Sequence, residues 1–88
     1  MHWDFKAMNV RLLFFSVLRD ITGSEEMTWT CAANSNVSQL LEQIYQRWPR
    51  LSEWDDSLLI AVDQIYVKRD APLHEECEVA IMPPVQGG

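Results

Sequence analysis

The chain has 88 residues, 48% of them hydrophobic and 23% charged, and its 13 acidic side chains outnumber 7 basic ones for a net charge of −6. That length holds one domain with a modest core, and the apolar content is too high for a disordered chain. An acidic surface repels phosphates, which argues against nucleic acid and for a basic partner surface. The two cysteines, Cys31 and Cys77, show no CxxC spacing and no neighbouring histidine cluster, so neither a zinc site nor a disulfide framework is expected. No signal peptide and no apolar run of membrane-spanning length is visible, so a reducing cytoplasm is the expected compartment.

Residues 1–7 (MHWDFKA) have no period and are expected to form a disordered extension, with the domain starting at Met8. Val10 to Val17 (VRLLFFSV) is β-branched, aromatic and apolar, and predicts a strand. Val10, Leu12 and Phe14 share one face; Arg11, Leu13, Phe15 and Val17 share the other. A sheet with one wet face alternates apolar and polar side chains, whereas here both faces are apolar. Either the strand is covered on both sides within the domain or its second face is surplus surface for a partner. With only one good helix in the chain, the partner is favoured. Leu18 to Gly23 reads as a helical turn closed by glycine. Glu26 to Ala32 alternates Met27, Trp29 and Cys31 against Glu26, Thr28 and Thr30. It predicts a second strand, antiparallel to the first because the connection is short, with Cys31 as a small core residue.

The main helix is the clearest element. Asn36 is a good N-cap and Gln39 stands at the capping-box position. Val37, Leu40, Leu41, Ile44, Tyr45 and Trp48 form one apolar stripe, and Pro49 stops the helix. Arg50 to Ser57 reads as an irregular polar connection containing Trp54. Leu58 to Val62 reads as a short buried strand, Asp63-Gln64 as a turn, Ile65 to Val67 as a short strand, and Lys68 to Leu73 as a loop held by Pro72. His74 to Cys77 is an acidic turn before a last strand, Glu78 to Met82. His74 has no companion placed for a metal or a triad and reads as a solvent-exposed histidine. No metal site is expected. The element order predicts an α+β roll with a mixed sheet and one main helix.

Pro83-Pro84-Val85-Gln86-Gly87-Gly88 follows the last strand directly. Two prolines hold the start of this tail extended and remove two backbone donors. The glycines carry no side chain, so the backbone fits a channel too narrow for other residues. Six extended residues reach about 20 Å, enough to carry a terminal carboxylate off the domain and into a partner. The bland alternative is a tail that simply frays.

A strand feeding into Pro-Pro-Val-x-Gly-Gly resembles the ubiquitin-like sulfur carriers, and within them the small subunits of molybdopterin synthase. Leu13-Phe14-Phe15 with Leu18-Arg19 and Gly23 is similar to that family's opening strand and turn. Leu59 to Val67 (LIAVDQIYV) is similar to its central hairpin, and Pro72-Leu73 with Glu78-Val79-Ala80 to its closing segment. The likeness runs over most of residues 8–88. Two departures stand out: Glu75-Glu76-Cys77 where the family often has Asp-Gly-Asp, and Asp63 where it often has asparagine. The missing glycine puts the backbone of that turn in question.

The resemblance implies a β-grasp, or ubiquitin-like, fold over residues 8–82, with an extended tail over 83–88. First and last strands would lie parallel, bringing Leu13 and Phe15 near Ala80 and Met82 at the root of the tail. It also implies a chemistry. An E1-like enzyme uses ATP to adenylate the Gly88 carboxylate, and a persulfide sulfur donor converts it to a thiocarboxylate. That sulfur is then delivered to a pterin precursor in the large subunit, building the dithiolene of molybdopterin. Val85, Gln86 and Gly87 would enter the partner's active site. Leu13, Phe15, Ala80, Met82, Pro83 and Pro84 would form the interface of a heterotetramer. The chain would bind no cofactor, would be inert alone, and Cys77 would be incidental. The competing readings are a carrier for thiamine or tRNA thiolation, a protein modifier, and a non-enzymatic ubiquitin-like binding module. Pro83-Pro84 and Phe14-Phe15 favour the molybdopterin carrier.

Overall fold

Alternating burial along the first strand sets the layers. In the computed structural model, which describes residues 6–84, β1 (Ala7–Phe14) buries Met8, Val10, Leu12 and Phe14 and turns Arg11 and Leu13 away from the core. β2 (Glu26–Ala32) runs antiparallel along one side, with Met8 opposite Cys31 and Leu13 opposite Glu26. β5 (Glu78–Met82) runs parallel along the other, with Arg11 opposite Glu78 and Leu13 opposite Ala80. β3 (Leu59–Val62) pairs antiparallel with β5, and β4 (Ile65–Tyr66) closes the hairpin on β3. The sheet order is β2-β1-β5-β3-β4. This is the mixed sheet of an α+β, ubiquitin-like roll, as the sequence implies.

One face of the sheet is covered by α2 (Val37–Arg47), which starts where the capping box places it. Asn36 Oδ1 accepts from the Gln39 N–H and Gln39 Oε1 accepts from the Asn36 N–H, each at 2.9 Å, satisfying two donors that a helix start leaves orphaned. Val37, Leu40, Leu41 and Ile44 are buried against the strands, each full burial contributing roughly 1.5–3 kcal/mol. Trp48 is the cap residue rather than the last helical one. Its ring meets Phe14 edge-on at 5.6 Å and Trp29 at 5.7 Å. The loop around Pro72 is pinned at the helix start, with the Val37 N–H on Ala71 O and the Leu73 N–H on Ser35 O.

Cys31 and Cys77 are both buried and free. They flank β1 on opposite sides: Cys31 pairs with Met8, while Cys77 O accepts from the Arg11 N–H. Two strand spacings, about 9.6 Å, exceed disulfide reach.

Three expectations need correction. The first strand is Ala7–Phe14 rather than Val10–Val17, because the chain turns after Phe14. Val17 opens α1 (Val17–Thr22) instead of joining Leu13 on the second face; α1 buries Leu18 and ends at left-handed Gly23. The sheet also reaches back before Met8: Ala7 pairs with Ala32, and Lys6 O accepts from the Ala33 N–H. Finally, Pro49–Ser57 is a 3₁₀ helix rather than irregular. Pro49 stops α2 yet suits the first turn of the new helix, whose Leu51 is fully buried. The Tyr45 hydroxyl donates to the Asp55 carboxylate, which also accepts from Arg69 Nη1 at 2.9 Å. These bonds tie α2, the 3₁₀ helix and the loop before β5 together. They also hold the Asp55 carboxyl below its usual range, while burial pushes the Tyr45 phenol up.

The acidic turn before β5 keeps the backbone that a glycine would favour. Glu76 has φ 66° and its N–H donates to Asn9 O at 2.7 Å. A left-handed residue with a Cβ costs roughly 1–2 kcal/mol, part of which glycine gives back in unfolded-state entropy. Glu76→Gly is therefore expected to stabilise the domain by about 1 kcal/mol, a rise of several degrees in Tm. Thermal unfolding checks this, and an unchanged or lower Tm would contradict it.

Expectations on residues 1–5 and on Val85 to Gly88 lie outside the described residues.

Candidate functional site

The parallel pairing of β1 with β5 organises the face of the sheet opposite α2. Strand alternation sends Arg11, Leu13, Glu78, Ala80, Met82, Leu59, Ala61 and Tyr66 to that side. The face divides into two halves. On the β2 side it is charged: Arg11 lies between Glu26 at 3.2 Å and Glu78 at 3.4 Å. On the β3–β4 side it is apolar. Leu13, Phe15, Ala61, Ala80, Met82 and Tyr66, with Gln64 and Glu78 at the margin, line a groove of about 360 Å³.

Phe15 stands in the groove wall although it lies past the end of β1. Its N–H still reaches Ile81 O at 3.3 Å, and the residue is 44% exposed. Tyr66 forms the opposite side and is 69% exposed. Ala80 is buried at the floor. Its small side chain makes the depression, because a larger group there would fill it. Pro83 and Pro84 are half-buried and follow directly on Met82, so the groove adjoins the root of the tail. The structure thus brings Leu13, Phe15, Ala80 and Met82 together, as the sequence implies. Val85, Gln86, Gly87 and Gly88 fall outside the described residues.

Sequence reasoning missed Leu59, Ala61, Gln64 and Tyr66. The signal was present. Leu58 to Val62 is apolar at every position, so both faces of β3 are apolar, as in β1.

A short polar brace holds the hairpin wall in place. Asp63 and Gln64 both take positive φ, 51° and 71°, the conformation of a tight hairpin turn that aspartate tolerates. Asp63 N–H donates to Glu78 O at 2.8 Å, and Asp63 Oδ1 accepts from the Glu78 N–H at 3.0 Å. Its other oxygen meets His74 Nε2 at 2.8 Å. The Glu78 amide, with His74 second, holds the Asp63 carboxyl below its usual range; Asp63 in turn raises the His74 imidazole. His74 is exposed as expected, but it has a charged companion that sequence separation hid. The aspartate that replaces a common asparagine therefore keeps the turn and gains an ionic contact.

The lining of the groove is mainly apolar, which suits binding. Among the described residues there is no group of three or more His, Cys, Asp or Glu able to hold a metal ion. Burial pushes both cysteine thiols up, away from the reactive thiolate. Among the same residues, no helix is long and apolar enough to cross a membrane.

A family model described as the ThiS family matches residues 12–88. The chain belongs to the ThiS family. The match begins inside β1 and takes in the groove, the hairpin, β5 and the Gly-Gly motif. Among ThiS-family relatives, the molybdopterin synthase sulfur carrier subunit of Escherichia coli is 37% identical over 82 residues, spanning 90% of this chain and 99% of the relative. A solved structure from Pyrococcus furiosus, described as molybdopterin converting factor, subunit 1, superposes with a TM-score of 0.80 at 27% identity. It covers 89% of this chain and 99% of its own. A chain in the complex of subunits 1 and 2 of the molybdopterin-converting factor from Helicobacter pylori matches with a TM-score of 0.62 at 27% identity, over 92% and 100%.

Proposed function

We propose that this ThiS-family chain is the sulfur carrier subunit of a molybdopterin synthase, acting through a thiocarboxylate at Gly88. The observation that carries the reading is the near-full-length likeness to sulfur carrier subunits of that synthase. The apolar groove beside Met82 and Pro83 supports it, because a carrier must dock where its tail departs.

The chemistry follows from what a glycine carboxylate needs. A free carboxylate is a poor electrophile, so an E1-like enzyme transfers AMP from ATP to Gly88. Pyrophosphate leaves, and the acyl carbon gains a good leaving group. The outer sulfur of a persulfide donor attacks that carbon and displaces AMP, giving an acyl disulfide. A second thiol on the donor or the activating enzyme then cleaves its S–S bond, leaving a disulfide behind and releasing the thiocarboxylate. With no Cβ on Gly88, nothing crowds the attacked carbon. The large subunit receives Val85 to Gly88 in its active site, while Leu13, Phe15, Met82, Pro83 and Pro84 seal against it around Ala80. It supplies the acid–base groups, and two deliveries build the dithiolene. Each large subunit is paired with a carrier in a cytoplasmic heterotetramer, and the net charge of −6 suits a basic partner surface. Cys31 and Cys77 are both buried, which is consistent with a carrier whose sulfur is held elsewhere than on a thiol.

The test is mass spectrometry of the C-terminal peptide after incubation with ATP, a persulfide donor and an E1-like enzyme. The expected result is exchange of one oxygen for sulfur, located on Gly88. The peptide is needed because the chain has four methionines, and oxidising one adds nearly the same mass. An unmodified Gly88, with the enzyme shown active on another carrier, would overturn the proposal.

A further inference from the structure

Ser16 occupies the corner where β1 gives way to α1, with φ 57° and ψ −133°. The Leu18 N–H donates to Phe15 O at 3.1 Å, so Ser16 sits at the first central position of a tight turn. Those angles are the type II′ corner, where glycine is the usual residue. The serine side chain does not compensate: it is exposed and makes no capping bond. The backbone is instead held from both sides. Upstream, the Phe14 N–H donates to Glu25 O at 2.9 Å and the Phe15 N–H to Ile81 O. Downstream, Leu18 is fully buried and the Arg19 N–H donates to Ser16 O at 3.0 Å.

The consequence falls on Phe15. The corner stops β1 at Phe14 yet leaves Phe15 bonded to β5, one step along from the Phe14–Ile81 pair and therefore beside Met82. A residue of ordinary extended φ at position 16 would carry the strand onward and misdirect α1, and α1 could then keep Leu18 in the core only by moving Phe15. Strained backbone that its surroundings hold in place clusters at functional sites, and here the side chain it places is in the groove wall. We propose that Ser16 is a positioning residue, whose left-handed backbone fixes the Phe15 ring in the groove wall so that the wall and the tail root meet the partner as one unit. This rests on reading the groove as the docking surface for the large subunit.

The test compares Ser16→Gly with Ser16→Val in the full chain. In the free protein, nuclear Overhauser contacts from the Phe15 ring to Leu13 and Met82 report its placement. With the large subunit, the carrier concentration for half-maximal sulfur transfer and the rate at saturation are measured separately. Ser16→Gly is expected to keep the contacts and both constants within about twofold, because glycine favours the same corner. Ser16→Val, branched at a Cβ that resists positive φ, is expected to lose the contacts. It should raise the half-saturating concentration about tenfold or more, with the saturated rate unchanged because Gly88 is untouched. If Ser16→Val does not fold, Ser16→Thr carries the same branch on a polar side chain. A branched variant that keeps the ring contacts and the half-saturating concentration overturns the proposal. So does one that loses only the saturated rate. If the loaded wild-type chain gives no transfer at all, the functional reading fails instead, and the ring contacts still decide the role of Ser16.

Discussion

A chain lacking only Gly88 is expected to fold as the full chain does and to transfer no sulfur. The fold is insulated from the change because the buried core runs from Met8 to Ile81 and the sheet closes with β5, which ends at Met82. The chemistry is not insulated. A carboxylate on Gly87 stops about 3.5 Å short of the partner's reacting position, and a displacement of even 1 Å can cost about a hundredfold in rate. Adding one residue beyond Gly88 fails for a different reason: the glycine acyl carbon is then locked in a peptide bond and cannot be adenylated. Transfer is measured with purified large subunit, and the fold by circular dichroism and Tm. Activity surviving either change would sink the carrier model.

Met82→Glu is expected to weaken binding to the large subunit by at least about a hundredfold, since burying an unpaired charge costs several kcal/mol. Phe15→Glu should act alike. Both positions are partly exposed in the free chain, so the isolated domain should keep its Tm within a few degrees while calorimetry with the large subunit shows the loss. Glu78 already borders the groove, and a second carboxylate beside it adds repulsion. Unchanged affinity in both variants would remove the groove from the interface.

Legibility in the sequence depended on whether a signal was local. The capping box of Asn36 and Gln39 and the stripe of α2 lie within a dozen residues, and α2 is where they place it. The alternation of β2 is equally local, and its bounds match. The apolar second face of β1 was readable from Leu13 and Phe15, and it located half of the groove. The 3₁₀ helix was not readable, because Pro49 to Ser57 is mostly polar and its one fully buried side chain, Leu51, makes no period by itself. The end of β1 was misplaced because Phe15 and Val17 suit a strand by propensity, while the buried Leu18 and the Phe15–Leu18 turn override it. The Asp63–His74 brace and the groove wall at Ala61 and Tyr66 depend on strand register, which a linear pattern does not contain.

β5 fills the slot between β1 and β3, yet it is the last strand in the chain order. Arg11 pairs with Glu78 across most of the sequence, so the sheet cannot close until that distant loop is formed, and such non-local pairing slows folding. During synthesis β1 and β2 can zip as a hairpin long before β5 exists. Until it arrives, β1 keeps one open hydrogen-bonding edge beside its apolar face, a site where two nascent chains can join wrongly. The strand that leads into the tail is thus also the strand that completes the domain, and a chain cut short before Glu78 lacks the sheet as well as the arm.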